Sequence, residues 1–241
     1  MSVGAVIVAA GIGRRFGSHV RPKPYASLGG RPLLCYSLDV FERLSDVSSI
    51  AVVIHPEHRE LFSRVVDVQQ YSKLRHVVIG GRERQDSTWS GLEAISRDGV
   101  DIVAVHDAAR PFPPPAAIEQ AIDAARRGVC AILAAPVTDT IKEGDDSGHA
   151  VRTLDRSRLW AAQTPQVAPL AILREALELA RKENRLFTDE AAAVEHSGGR
   201  VLLIPSTPEN MKITLPADLE LAEYLLRNRL QAEHSSDQPG G

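Results

Sequence analysis

Cysteine is scarce in this chain. Only Cys35 and Cys130 occur, far apart and each in an apolar setting. Two such residues make no disulfide framework and read as buried thiols in a reducing compartment. Long hydrophobic runs are missing too. The apolar run at residues 3–10 falls well short of the roughly 20 residues that a spanning helix needs. No basic leader precedes it, so neither a membrane anchor nor a secretory signal is expected, and the protein is expected to be soluble and cytoplasmic. Nor is there an excess of positive charge. Lys and Arg number 28 against 31 Asp and Glu, a net charge of -3, with the signs interspersed. The basic stripe of a nucleic-acid binder is therefore absent, and neither nucleic acid nor membrane is an expected partner. Any bound anion must be held by a local cluster of donors. No internal repeat is visible.

What is present is a chain of 241 residues, 44% of them hydrophobic, enough for one sizeable core. Short runs rich in Val, Ile and Ala predict strands at 3–9, 49–54, 75–79, 101–106, 129–135 and 200–204. Each is nearly all apolar rather than alternating, as in strands covered on both faces. Between them the spacing predicts helices at 32–43, 57–69, 85–97, 114–127, 169–183, 189–197 and 216–229. Pro32, Pro114, Pro169 and Pro216 stand at or near first turns, where a missing N–H costs little. This alternation predicts an α/β fold, a mostly parallel sheet with helices on both faces. Residues 137–159 break the rhythm and read as a protruding β-hairpin arm, too poor in apolar residues to build its own core. A second subunit is the obvious surface for it to pack on. The polar end of the chain, 232–241, is expected to be a disordered tail.

The first strand runs into Ala9-Ala10-Gly11-Ile12-Gly13-Arg14-Arg15-Phe16-Gly17. Loops at the carboxyl ends of strands border ligand sites in open α/β sheets, and glycines let backbone N–H groups approach phosphate. A dinucleotide-binding turn is the alternative, but such a turn passes directly into a helix. Here the loop carries Arg14 and Arg15 and continues to Pro22-Lys23-Pro24. Several cations on a long loop suit a triphosphate, and an ammonium on a stiffened backbone suits a phosphate under substitution. A solvated loop lysine is the plain alternative for Lys23.

The string AAGIGRRFG…PKPY resembles the amino-terminal signature of the 2-C-methyl-D-erythritol 4-phosphate cytidylyltransferase family. So do Gly80-Gly81-Arg82-Glu83-Arg84-Gln85-Asp86-Ser87, then Val105-His106-Asp107-Ala108-Ala109-Arg110-Pro111. Further blocks follow in the family's order, over roughly residues 4–215. These are 134–142 with its TDTIK, Asp155-Arg156, Gln163-Thr164-Pro165-Gln166, Phe187-Thr188-Asp189-Glu190-Ala191 and Asn210-Met211-Lys212-Ile213-Thr214. The resemblance implies a Rossmann-like nucleotidyltransferase domain over 1–231. It also implies a homodimer whose 137–159 arms reach into each other's sites. It assigns catalysis to Arg15, Lys23 and Lys212. Ala9, Ala10, Gly11, Gly13, Gly81, Arg82, Ser87 and Asp107 would bind CTP. Asp107, Arg110, Thr140, Arg156, Thr164 and Thr188 would bind the sugar-alcohol phosphate. Two departures stand out: Pro24 where the family usually has Gln or another polar residue, and Arg82 where an acid is common. The first stiffens the lysine loop, and the second leaves base recognition at that position to the backbone.

The implied reaction is attack of an acceptor phosphate on the α-phosphorus of CTP. The nucleophile is already an anion, so the chemistry demands cations and alignment rather than a strong base. Mg²⁺ or another divalent cation is expected as cofactor, with Asp107, just past a strand, as its single best-placed acid. Capping of the next turn is the structural alternative for Asp107. Arg110, held extended before Pro111, is expected to point into the cleft or to pair with Asp107. His55 and His58 lack a third ligand and read as a surface pair. His106 is expected to pack at its strand end, and His196 to close a helix as a cation near its dipole. Trp89 and Trp160 read as core or interface aromatics.

A ribitol-5-phosphate cytidylyltransferase would share these residues and differ in the alcohol pocket. An NAD(P)-binding oxidoreductase would need a ribose-reading residue after Ile54 and a catalytic Tyr-Lys or His. Position 55 is His followed by Pro, and no tyrosine has a YxxxK partner. A non-catalytic nucleotide sensor would not require Arg156 and Lys212 in addition to the loop cations.

Overall fold

The computed structural model describes residues 1–11 and 21–236. Gly13, Arg14 and Arg15 lie outside the described residues. In chain order the elements are β1 (Val3–Ala9), β2 (Ser27–Leu28), β3 (Arg31–Pro32), α1 (Leu33–Arg43), β4 (Val47–Ile54), α2 (Arg59–Val65), β5 (Leu74–Ile79), α3 (Arg84–Ile95) and β6 (Ile102–Asp107). They continue with α4 (Pro115–Arg126), β7 (Cys130–Pro136), β8 (Lys142–Gly144), β9 (Ala150–Thr153), β10 (Trp160–Pro169), α5 (Leu170–Lys182), α6 (Glu190–His196), β11 (Val201–Pro205) and α7 (Pro216–Ser236).

Seven strands form one sheet in the order β11-β7-β10-β6-β1-β4-β5. All pairings are parallel except those of β10, which runs antiparallel to both β6 and β7. Helices cover both faces of the sheet at its centre, and β1, β4 and β6 there are buried along nearly their whole length and mostly apolar. Ala5, Ile7 and Ala9 face a cluster with Leu34, Leu38 and Phe41 of α1 and Ile118 and Ile122 of α4. Val6 faces the opposite cluster with Leu92 and Ile95 of α3, Leu173 and Leu177 of α5 and Val194 of α6. Helix α3 lies so close to the sheet that a Cβ on Gly91 would stand 2.3 Å from Val6 Cγ1. A third, smaller cluster joins Ala26, Leu28 and Leu33 to Phe112, Ile213 and Ala222 of α7. Among the described residues no helix is long and apolar enough to cross a membrane.

The predicted strands and helices appear with shifts of a few residues, and three expectations need correction. Strand β10 has no counterpart among the predicted strands. Pro165 interrupts its ladder, after a cis Thr164–Pro165 bond and a register shift between Ala162 and Gln166. Helix α2 is shorter than the expected 57–69, because its ends are 3₁₀ turns at Pro56–His58 and Val68–Gln70. Helix α7 runs to Ser236, into the stretch expected to be a loose tail, and residues 237–241 lie outside the described residues. His196 is the last residue of α6, as expected, and its Nε2 lies 2.7 Å from a Glu183 carboxylate oxygen. The expected arm forms a separate two-stranded ribbon, β8 with β9, exposed along its length.

Candidate active site

Strand order reverses beside β1: the chain proceeds outward through β4 and β5 on one side and through β6 on the other. The carboxyl ends of β1 and β6 therefore border a crevice of the kind where open α/β sheets bind ligands. Val8 and Asp107 are register partners across it. A cleft of about 440 Å³ opens there, lined by Ala9, Ala10 and Gly11 after β1, Lys23, Gly81, Arg82 and Ser87 after β5, and Asp107 and Lys212. The expected nucleotide residues that lie among the described ones thus meet in one place.

Local sequence explains the walls. Gly80 ends β5 where a Cβ would lie 2.5 Å from Ala10 Cβ and 2.7 Å from Ser87 Oγ, so only glycine lets the two loops touch. Helix α3 begins there with a capping box, Glu83 N–H donating to Asp86 Oδ2 at 3.2 Å while the Glu83 carboxylate caps the return N–H. Arg82 lies at the rim of the cleft, its side chain 94% exposed. Lys23 opens a 3₁₀ turn, Lys23–Tyr25, whose Tyr25 is wholly buried.

A second cavity of about 140 Å³ is lined by Arg110, Thr164, Thr188, Gln163 and Asp189. Arg84, Asp107 and Lys212 line both cavities. At this seam Asp107 Oδ1 accepts from Arg84 Nε at 3.1 Å, and Oδ2 accepts from Lys212 Nζ at 2.7 Å. Arg84 also holds both oxygens of buried Glu190, at 2.7 and 3.0 Å, and the Thr88 hydroxyl donates to Glu190 at 2.9 Å. Burial alone would raise the Asp107 carboxyl. The Arg84 guanidinium and Lys212 ammonium outweigh it and hold the group well below the usual carboxylate range.

Behind the seam, His106 is fully buried, and burial lowers it to about 4, so the ring is neutral. Its Nε2 lies 3.0 Å from the Arg110 carbonyl and its Nδ1 3.0 Å from Thr164 Oγ1. A carbonyl can only accept, so Nε2 carries the proton and the Thr164 hydroxyl donates to Nδ1. The same hydroxyl oxygen accepts from Asp107 N–H at 3.1 Å. Arg110 does not pair with Asp107. Its guanidinium donates to the carbonyls of Asn210 (2.7 Å) and Ala162 (3.3 Å). Buried Asn210 in turn donates to Gln163 and to the Thr164 carbonyl, which docks the segment carrying Lys212 onto β10.

Two expected residues are not brought to these cavities. Thr140 and Arg156 sit on the arm and line neither, and Arg156 donates to the Thr138 carbonyl at 2.5 Å. Arg84, Glu190 and Asn210, which no sequence signal singled out, stand at or beside the site, as does His55, expected only as half of a surface pair. Arg84 and Glu190 are 106 positions apart, and only their charge within the quoted motif blocks hinted at a pair. Among the described residues, no three His, Cys, Asp or Glu side chains gather as a metal cluster.

Residues 3–228 match the family described as IspD: 2-C-methyl-D-erythritol 4-phosphate cytidylyltransferase. The curated enzyme of that name from Syntrophotalea carbinolica is 43% identical over 227 residues, covering 94% of this chain and 97% of the relative. Its namesake from Halalkalibacterium halodurans is 38% identical, covering 95% and 99%. Among solved structures, 4-diphosphocytidyl-2C-methyl-D-erythritol synthase from Anaerococcus prevotii superposes with a TM-score of 0.81 at 28% identity, covering 94% and 96%. The 2-C-methyl-D-erythritol 4-phosphate cytidylyltransferase of Thermus thermophilus superposes with a TM-score of 0.77 at 32% identity, covering 94% and 100%. With a glycine-walled crevice at the strand-order reversal and full-length likeness in both sequence and fold, the chain belongs to the 2-C-methyl-D-erythritol 4-phosphate cytidylyltransferase family.

Proposed function

We propose that this chain transfers CMP from CTP to 2-C-methyl-D-erythritol 4-phosphate, giving 4-diphosphocytidyl-2-C-methyl-D-erythritol and pyrophosphate, a step toward isoprenoid precursors. The observation that carries this reading is the seam of Arg84, Asp107 and Lys212 common to both cavities. The larger cavity, with its glycine loop and Lys23, suits a nucleoside triphosphate. The smaller, with Arg110, Thr164 and Thr188, suits a phosphorylated polyol. An acceptor phosphate oxygen attacks the α-phosphorus in line. The new P–O bond forms as the bond to the bridging α–β oxygen breaks, and its electron pair leaves with pyrophosphate.

Lys23 and Lys212 supply positive charge where two anions must meet, and Arg15 is the third cation we assign to this task. Asp107 holds Lys212 at the seam before substrate arrives. A divalent cation, Mg²⁺ by expectation, supplies neutralisation of the triphosphate and of the leaving pyrophosphate. Asp107 would hold it: the residue lines the cleft and its Oδ2 already accepts from a cation there, Lys212 Nζ at 2.7 Å, and Mg²⁺ commonly takes one or two carboxylates beside substrate phosphates and water. Residues 1–231 act as one domain and function as a homodimer, with Thr140 and Arg156 of each 137–159 arm entering the smaller cavity of the other subunit. Their position outside their own chain's cavities supports this arrangement.

The test is pyrophosphate release from CTP and Mg²⁺ with either 2-C-methyl-D-erythritol 4-phosphate or ribitol 5-phosphate. Turnover with the first alone is expected. Turnover only with the second would keep the nucleotide half of the reading and overturn the acceptor half.

A further inference from the structure

Glu190 has no place in the assignments above, yet it is the most deeply placed carboxylate near the site. Its side chain is 5% exposed, at the first turn of α6, and three donors converge on it. Two come from Arg84, in bidentate geometry at 2.7 and 3.0 Å, and one is the Thr88 hydroxyl at 2.9 Å. Arg84 opens α3 on the nucleotide side, whereas Glu190 opens α6 on the side of Thr188 and Asp189. A buried carboxylate must be compensated, and this one is fully so. The bidentate fork fixes the plane of the guanidinium, which a single contact would not do. The third nitrogen, Nε, is then delivered to Asp107 at 3.1 Å.

We propose that Glu190 is a positioning residue for the transfer reaction: through Arg84 it fixes Asp107 and sets how the two cavities meet. This deepens the proposed cytidylyl transfer and rests on it. Lys212 leaves Asp107, or shares it, when phosphate arrives. From then on Arg84 is the contact that keeps the carboxylate in place, and Arg84 is only as rigid as its fork on Glu190. Thr88 contributes by holding one oxygen of that carboxylate from the body of α3. The effect of losing Glu190 therefore falls on alignment of the two bound substrates, and so on kcat, more than on capture of CTP by the glycine loop.

The experiment compares wild type, Glu190→Gln, Thr88→Val, Arg84→Lys and the Arg84→Lys/Glu190→Gln pair in steady-state pyrophosphate release. CTP affinity is measured by calorimetry, and folding by thermal melting. We expect Glu190→Gln to lower kcat about 10- to 100-fold with the dissociation constant for CTP changed less than about threefold. Thr88→Val, which removes one hydroxyl without changing shape, lowers kcat a fewfold in the same pattern. In the Arg84→Lys background, where no fork exists, Glu190→Gln adds less than about a twofold further loss.

Wild-type kcat in folded Glu190→Gln, or losses that multiply in the double variant, overturns the positioning role while leaving the transfer reaction intact. A loss confined to melting temperature in Glu190→Gln and Thr88→Val alike also overturns it, as the mark of a merely structural pair. Wild type that releases no pyrophosphate with either acceptor overturns the proposed function, and this inference falls with it.

Discussion

Lys212 Nζ lies 2.7 Å from Asp107 Oδ2, across 105 positions of sequence, and the pair stands on the boundary between two cavities. The ammonium is 40% exposed while its carboxylate is 11% exposed. The lysine thus faces solvent, while the aspartate is held from within by Arg84. Replacing Lys212 with Ala leaves Asp107 its Arg84 contact and removes a cation from the reacting phosphate. Pyrophosphate release should fall about 10²–10³-fold with folding retained. Melting curves and kcat measured on the same preparation check both halves.

Gly80→Ala should loosen nucleotide capture rather than the chemistry of the acceptor. The added methyl would stand 2.5 Å from Ala10 Cβ, so the glycine loop must retreat from α3. We expect the KM for CTP to rise by between about ten- and a hundredfold. The KM for the polyol phosphate should stay within about threefold in the same titrations.

His106 gives stability a pH dependence whose sign follows from its neutrality. Its ordinary value is 6.5, and burial lowers it to about 4 in the folded chain. The unfolded chain therefore binds a proton first as pH falls. The contribution is fully present above pH 6.5 and is lost progressively down to pH 4. The loss amounts to roughly 3 kcal/mol. Denaturant unfolding of wild type and His106→Asn at pH 7 and pH 4.5 should show a steeper fall for wild type. Equal slopes would mean the imidazole is not held neutral.

Subunit mixing separates an arm that serves its own site from one that serves its neighbour's. In the proposed homodimer, Lys23→Ala and Arg156→Ala proteins should each be nearly inactive on their own. After exchange of subunits, half the dimers are mixed and carry one intact site each, so about a quarter of wild-type activity should return. No recovery after verified exchange would place Arg156 beside its own chain's cavities.

The parts of this molecule that a reader of the sequence can see are those with local causes. Strands β1 and β7 are apolar along their length and β4 and β6 nearly so, because both faces are covered, and the limits of all four fall within two residues of expectation. The meeting of Ala10, Gly11, Lys23 and Asp107 at one cleft was legible because short motifs carry each of them. Strand β10 stayed hidden because Pro165 erases the ladder signal at its centre. Arg84 and Glu190 stayed hidden because no periodicity links α3 to α6. Their pairing exists only once Leu92, Leu173 and Val194 have packed those helices on the same face of the sheet. The reading of Arg110 as partner to Asp107 failed for a related reason. The carbonyls of Ala162 and Asn210, brought in by β10 and the segment after β11, outcompete the nearby carboxylate.

Among the described residues the two cavities share three side chains, and most of the rest of each lining comes from its own pieces of chain. One compartment is furnished by the ends of β1 and β5 and the start of α3. The other is furnished by the reversed strand β10 and the start of α6. The division makes the two halves of the pocket separately adjustable. If the smaller compartment takes the alcohol, as proposed, changes along Gln163, Thr164 and Thr188 would reshape it while the proposed grip on the nucleotide stays as it is, so long as Arg84, Asp107 and Lys212 remain as the hinge between them.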